Sequence, residues 1–244
     1  MKIAIVGYGR MGHEIEAAAK SKGHEIVRVD NKCRADFCGI DKNSMAGVDV
    51  AIDFTAPESA INNAGKYNEL GVNAVIGTTG WYGSMEKMKE AARDIGLIWS
   101  GNFSMGVNVF FRIIENAAKM MNNLDNYDVS AFEMHHKGKK DSPSGTAKMI
   151  GDIILRNIDR KKKLETGQLS RKIGDDELHF ASVRGGSAPG THSVFFDSDA
   201  DTIELTHRAR SRKGFALGAV TAAEWIKDRK GFYNIDDMMS ELIK

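Results

Sequence analysis

Three prolines and two cysteines in 244 residues are the first scarcities of this sequence. With so few prolines, no stiff proline-rich linker divides the chain. Cys33 and Cys38 do not form a C-x-x-C pair, and two thiols make no disulfide framework. His24 is the only histidine within ten residues of them, which argues against a metal site and for two reduced thiols. An excess of charge is also missing. Lys and Arg number 34 against 33 Asp and Glu, a net charge of +1. That balance points away from nucleic acid and from anionic membrane surfaces. No apolar run approaches the ~20 residues of a membrane span. The opening MKIAIVGYG is too short in its apolar part for a signal peptide. The expectation is a soluble, cytoplasmic protein whose positive charge, where it serves function, is local.

What is present is a 42% apolar fraction, ample for a packed core. Along the first hundred residues short apolar runs alternate with helix-like segments. Lys2 to Val6, His24 to Asp30, Val48 to Thr55, Val72 to Thr78 and Leu97 to Ser100 read as strands. Met11, Ile15 and Ala18 or Ala19 give the first helix its buried stripe, and another helix opens near Pro57. Strands separated by helices predict a Rossmann-type, doubly wound parallel sheet, an α/β fold.

Beyond Val107 the character changes. Val107 to Met121 reads as one helix, and 128–136, 179–184, 191–196 and 202–207 show strand character. This predicts an α+β second domain with a mixed, largely antiparallel sheet. The charged stretch 159–178 reads as a solvated excursion, with Lys161-Lys162-Lys163 facing solvent. An apolar helix after Phe215 returns to the first domain. The division expected is 1–105 completed by 215–244, and 106–214, with Gly101 to Gly106 as the hinge.

Gly7-Tyr8-Gly9-Arg10-Met11-Gly12 fits G-x-G-x-x-G between the first strand and its helix. Such glycines admit backbone close to a pyrophosphate, and the helix start favours its charge. Asp30, eighteen residues past Gly12, ends the second strand where an acid receives the ribose hydroxyls. That acid favours NAD, whereas Lys32, Arg34 or Arg10 can hold the extra phosphate of NADP, so NADH and NADPH both stay open. Gly77-Thr78-Thr79-Gly80 closes the fourth strand on the same crevice.

The densest chemistry lies in Glu133-Met134-His135-His136-Lys137-Gly138-Lys139-Lys140-Asp141-Ser142-Pro143-Ser144-Gly145-Thr146. On a strand, Glu133 and His135 share a face and His136 takes the other. The carboxylate can orient His135 or raise its pKa. Asp141 or Ser142 can cap the next helix, with Pro143 in its first turn. The N–H groups of Ser144, Gly145 and Thr146 then suit a carboxylate or phosphate. Proton donors, cations and amides together describe a site for a small dianion. His13, His24 and His179 lack such a context. Arg184-Gly185-Gly186 and Pro189-Gly190-Thr191-His192 read as turns near the site or a subunit contact.

Glu133 through Ala147 (EMHHKGKKDSPSGTA) resembles the hallmark E-x-H-H-x-x-K-x-D-[AS]-P-S-G-T-A of the dihydrodipicolinate reductase family of lysine biosynthesis. Gly9–Gly12, Asp53–Thr55, Gly77–Gly80, Asn102–Asn108, Arg184–Gly186, Ile203–His207 and Phe215–Ala219 extend the resemblance over nearly the whole chain. The glycine loop is one residue shorter than in many members, and Asn31 stands where a basic residue is frequent. The resemblance implies NADH- or NADPH-dependent reduction of 4-hydroxy-tetrahydrodipicolinate, a cyclic dicarboxylate, to tetrahydrodipicolinate with loss of water. It implies that His135 and Lys139 handle protons and that His136, Lys139, Ser144, Gly145 and Thr146 hold substrate. Gly7 to Gly12, Asp30, Gly77, Thr78, Thr79, Ser100, Gly101, Asn102 and Phe103 would hold the cofactor, with no metal. It also implies a homotetramer built by the second domain's sheet, and a closure that brings the two sites together. Two rivals remain: another two-domain NAD(P)-dependent dehydrogenase, acting on an amino acid or aldehyde, and a non-catalytic NAD(H) sensor.

Overall fold

The structure, a computed structural model, describes residues 1–32 and 35–243. In chain order the elements are β1 (Lys2–Val6), α1 (Arg10–Ser21), β2 (Glu25–Val29), β3 (Val50–Asp53), α2 (Pro57–Leu70), β4 (Asn73–Ile76), α3 (Met85–Ala91) and β5 (Gly96–Trp99). Then come α4 (Met105–Met121), β6 (Asp128–His135), α5 (Gly145–Asn157), β7 (Lys163–Glu165), β8 (Glu177–Arg184), β9 (Thr191–Asp197) and β10 (Thr202–Arg208). The last are α6 (Lys213–Ile226), β11 (Gly231–Asn234) and α7 (Ile235–Leu242). They form two compact units, Met1–Met105 with Arg212–Lys244, and Gly106–Ser211.

In the first unit six strands pair in parallel in the order β11-β5-β4-β3-β1-β2. Side chains alternate faces along each strand, and here both faces are buried. Ile3, Ile5, Val50, Ile52, Val75 and Ile98 share one core with α1, α6 and α7. Ala4, Val6, Ala51, Ala74, Ile76 and Leu97 share the other with α2 and α3. That is why these strands read as continuous apolar runs. The winding reverses between β1 and β3, and in such sheets the crevice beyond the strand ends at the reversal receives the ligand. β11 is an edge strand the sequence reading did not include; only four residues long, it is squeezed between two helices.

The second unit's sheet runs β10-β9-β6-β8-β7. It is mixed, with antiparallel pairs at the β10 side and parallel pairs at the β7 side. Val129 and Ala131 of β6, Leu178 and Phe180 of β8, and Val194 and Phe196 of β9 bury one face against α4 and α5. The opposite face carries Phe132 and Phe195, stacked at 6.0 Å, with Met134 and Val183 exposed.

Two expectations are corrected. Lys161 is not solvated: it is 2% exposed, and its Nζ donates to the carbonyls of Asp175 and Glu177 at 2.9 and 2.8 Å and pairs with Asp128 at 2.7 Å. A buried ammonium is tolerated when acceptors surround it, and here they tie the start of β7 to β8 and β6. Only Lys162 and Lys163 of that run face solvent. Cys38 is disulfide-bonded, not the reduced thiol expected. Cys33 and Arg34 lie outside the described residues.

Candidate active site

In the first unit, Gly7 adopts φ +89°, and a Cβ there would lie 2.3 Å from the Phe54 carbonyl oxygen. Only glycine fits that turn. A Cβ on Gly12 would sit 2.7 Å from the Gly7 carbonyl, so this glycine serves close packing of helix on strand. Gly9 differs: a Cβ would meet nothing within 4 Å. It is the N-cap of α1 and offers no side-chain cap, so the helix start faces open space. A cleft of about 500 Å³ lies there, lined by Gly7, Gly9, Asp30, Asn31, Lys32, Cys38, Thr55, Ser59, Asn63 and Lys66, among others. A second cleft, about 310 Å³, is lined by Gly7, Gly9, Arg10, Met11, Phe54, Thr55, Gly77, Thr78 and Thr79. An uncapped helix start beside an acid at the adenosine end fits a dinucleotide.

Asp30 accepts from the Tyr8 and Lys32 amides, both at 2.8 Å, so its carboxylate is held toward the cleft. The Tyr8 side chain turns away, bonding Glu16 and lying 4.3 Å from His13. Gly77 packs under the Phe54 ring, where a Cβ would come within 2.2 Å. Ser100 to Phe103 do not line either cleft. Ser100 Oγ exchanges hydrogen bonds with the Asn102 backbone, and the Phe103 carbonyl lies under Gly218. Beneath both clefts Asp53 is fully buried. It accepts from Thr55 N, Thr55 Oγ1 and Thr78 Oγ1 on one oxygen and from Asn63 and the Tyr67 hydroxyl on the other. Burial pushes its pKa up, against those hydrogen bonds.

In the second unit, three strands change chemistry together. The inward stripe of β6 runs Val129, Ala131, then Glu133, His135. Register places Glu133 beside Ser182 of β8 and His192 of β9, and His135 beside Arg184. The apolar core thus gives way to a polar patch across the strands, covered by the start of α5. Glu133 is 0% exposed. Its Oε1 accepts from the Ser144 amide at 2.9 Å, Ser182 Oγ at 2.9 Å and Arg184 at 2.6 Å. Its Oε2 faces His135 Nδ1 at 3.3 Å and His192 Nε2 at 3.4 Å. Burial alone would raise the Glu133 pKa; hydrogen bonds from His192, Ser144 and Arg184 outweigh it and hold the carboxyl well below its ordinary range. Burial drops the His135 pKa to about 4, with His192, Lys139 and Arg184 adding to the fall and Glu133 opposing it. The sequence allowed a raised value; desolvation wins, and the ring is neutral near pH 7.

The helix start also differs from expectation. Ser142-Pro143 is a cis peptide, and Ser144, not Asp141 or Ser142, caps α5, its Oγ accepting from the Ala147 amide at 3.1 Å. The Ser144 amide is spent on Glu133 and its hydroxyl sits 3.2 Å from His192, so Ser144 holds the helix start in place instead of facing a ligand. Gly145 and Thr146 begin the helix above it. Lys139 lies in the preceding loop, paired with Asp141 at 2.8 Å, and Arg184 also donates to the Asp141 carbonyl at 2.8 Å. His136 leaves the strand, its amide bonding Ala188. The structure therefore brings His135, Lys139 and the α5 start into one network. It includes Arg184 and His192, read from sequence as turns near the site or a subunit contact, and adds Ser182, which the sequence did not single out. Glu133, His135 and His192 also place three ligand-type atoms within 4.8 Å of one another. The guanidinium on the same carboxylate opposes a cation there and suits hydrogen bonding.

Comparison with known proteins agrees with this construction. Residues 1–103 match the family model described as dihydrodipicolinate reductase, N-terminus, and residues 106–239 the one described as its C-terminus. A 4-hydroxy-tetrahydrodipicolinate reductase of Christiangramia forsetii is 42% identical, covering 100% of both chains. One of Archaeoglobus fulgidus is 39% identical, covering 98% of this chain and 100% of its own. Among solved structures, the dipicolinate-bound dihydrodipicolinate reductase of Paenisporosarcina sp. TG-14 has the same fold, with a TM-score of 0.77 at 22% identity over 97% of this chain and 98% of that one. With both halves matched in order along its length, the chain belongs to the dihydrodipicolinate reductase family.

Proposed function

We propose that the chain catalyses NAD(P)H-dependent reduction of 4-hydroxy-tetrahydrodipicolinate to tetrahydrodipicolinate, with loss of water, in the diaminopimelate/lysine pathway. The observation that carries this reading is the polar patch in which a neutral, buried His135 adjoins Lys139 and the start of α5. The Paenisporosarcina relative binds dipicolinate, a flat dicarboxylate of the same class. One carboxylate suits the Gly145 end of α5, where the backbone dipole favours negative charge. Lys139 neutralises the other charge and donates a proton, released from an Asp141 that is itself exposed. His135 Nε2 takes up or returns the second proton, a task a neutral imidazole performs near pH 7. His136 and Thr146 complete the substrate contacts.

The dinucleotide, when bound, supplies the hydride. Gly9 and the first turn of α1 receive its pyrophosphate, Asp30 its ribose hydroxyls, and Thr78 and Thr79 the nicotinamide end. Lys32 and Lys66 line the same cleft as Asp30, which supports use of NADPH beside NADH. The open sheet face with Phe132, Met134, Val183 and Phe195 supports assembly through the second unit into a homotetramer. Among the described residues no helix is long and apolar enough to cross a membrane, which supports a cytoplasmic setting.

The test is a coupled assay in which the substrate is made freshly from pyruvate and aspartate semialdehyde. Loss of NAD(P)H absorbance that depends on the chain is expected with NADH and with NADPH. Folded protein that consumes neither would sink the reading.

A further inference from the structure

The two oxygens of Glu133 meet different neighbours. Oε1 is crowded by three donors from three segments: the Ser144 amide, Ser182 Oγ and the Arg184 guanidinium. Two of these cannot reverse their role, because a backbone N–H and a guanidinium donate only, whereas the Ser182 hydroxyl can also accept. Among the described residues Oε2 meets two imidazoles, His135 Nδ1 at 3.3 Å and His192 Nε2 at 3.4 Å. Among the described residues neither buried atom, Oε2 nor His135 Nδ1, makes a shorter hydrogen bond, so Nδ1 is left facing Oε2. A neutral imidazole carries one proton, and the atom opposite a carboxylate oxygen keeps it.

We propose that Glu133 is a positioning residue that locks His135 as its Nδ1–H tautomer, leaving Nε2 as the atom that exchanges protons with substrate, and that the same carboxylate, through the Ser144 amide, sets that ring's distance from the anion-binding start of α5. The inference rests on the proton-handling role given to His135 above. The far edge of the ring fits it. Nε2 lies toward Gly190, where a Cβ would come within 2.9 Å, so a bare backbone at that position keeps side chains away from this nitrogen. His192 takes part as a second ring on the same oxygen. It reaches from Glu133 to Ser144 Oγ, 3.2 Å away, and so joins the strand patch to the helix cap.

The consequence is sharp for Glu133→Gln. Two donor-only groups, the Ser144 amide and the Arg184 guanidinium, would pin the Gln carbonyl at the Oε1 position, and the amide NH2 would fall on the Oε2 side. It would then donate to His135 Nδ1, and the ring would switch to its Nε2–H tautomer. A change nearly isosteric in shape would turn the catalytic nitrogen from acceptor into donor. A wrong tautomer with intact geometry has large kinetic cost in other histidine-based sites.

The experiment uses 15N-labelled full-length chain and imidazole 15N–1H correlation spectra near neutral pH, with His135→Gln to assign the ring. Wild-type His135 is expected to carry its proton on Nδ1, and Glu133→Gln to move it to Nε2. The turnover number of Glu133→Gln should fall on the order of 100-fold, with KM for NADH changed less than ~2-fold. Glu133→Asp, which keeps an acceptor at shorter reach, should retain the Nδ1–H tautomer and more of the activity. A wild-type ring protonated on Nε2 would overturn the proposal, as would a Glu133→Gln enzyme with unchanged tautomer and turnover. Should Glu133→Gln fail to fold, the wild-type spectrum and Glu133→Asp decide alone. A His135→Gln enzyme of full activity would instead remove His135 from the reaction, a failure of the mechanism and not of the tautomer assignment.

Discussion

Asp53 and Glu133 are both fully buried carboxylates, one in each unit, each near the C-terminal end of a strand. Asp53 is held by neutral donors alone, two threonines, an asparagine and a tyrosine, and burial pushes its pKa up. Glu133 adds a guanidinium and two imidazoles, and its pKa is driven down. Neither carboxylate is exposed, yet Asp53 is set deeper among protein atoms, so the opposite shifts reflect the partner set together with depth. Asp53 ties the ends of β3 and β4 to α2 and so shapes a crevice. Glu133 stays ionised and holds two imidazoles, one of them the ring proposed to exchange protons.

The hardest blow to this contrast is Arg184→Met. It strips Glu133 of the guanidinium that, among the described residues, is its full cation, and leaves a buried charge without a counter-ion. The loss of stability in urea unfolding should be about 3 kcal/mol or more; a much smaller loss would mean that the neutral donors suffice, as at Asp53. Next comes Lys139→Ala, which should cut turnover on the order of 100-fold while sparing dinucleotide affinity, since the proton transfer proposed lies in the second unit's network. Unchanged turnover would remove Lys139 from the mechanism. Asp53→Asn should cost only about 1–2 kcal/mol, because Tyr67 and Asn63 can each present an acceptor to the new amide. It should leave turnover near that of the parent, with any change appearing in KM for NADH.

The smallest effect is one of sign with pH, read from unfolding at a series of pH values. Glu133 and His135 have lowered pKa values in the folded chain. The unfolded state then binds more protons in acid, so stability falls as pH drops. For His135 the loss spans from about 6.5, its unfolded value, to about 4; for Glu133 it begins below the ordinary carboxylate value and continues to its folded one. Asp53, raised, works in reverse: its contribution is present in acid and lost as pH rises through its folded value. His135→Gln should flatten the first window, and Asp53→Asn should leave it untouched.

The parts legible in the sequence were those with a local cause. Lys2 to Val6 announced a strand because both its faces are buried, and Gly7 to Gly12 announced a turn because backbone crowding there demands glycine. The shared face of Glu133 and His135 followed from alternation along one strand. His192 and Arg184 could be read only as near the site or a subunit contact, because strand register alone sets them beside Glu133 and His135, and register joins segments some fifty to sixty residues apart. The cap moved from Asp141 or Ser142 to Ser144 for the same reason: its amide is claimed by a distant carboxylate. Lys161 misled because its acceptors are main-chain carbonyls, which no side-chain pattern reveals.

The return of the chain to its first unit bears on biogenesis. Ala216, Ala219, Val220, Ala222, Ala223 and Ile226 of α6 roof one face of the parallel sheet, and β11 shields the flank of β5. While the ribosome still holds that segment, the nascent sheet has a bare apolar face and an unpaired edge, both invitations to aggregation. The unit 106–211 is contiguous and has its whole core available earlier. Maturation therefore runs against the direction of translation: the unit made second is the first that can close, and the unit begun first waits for the last residues.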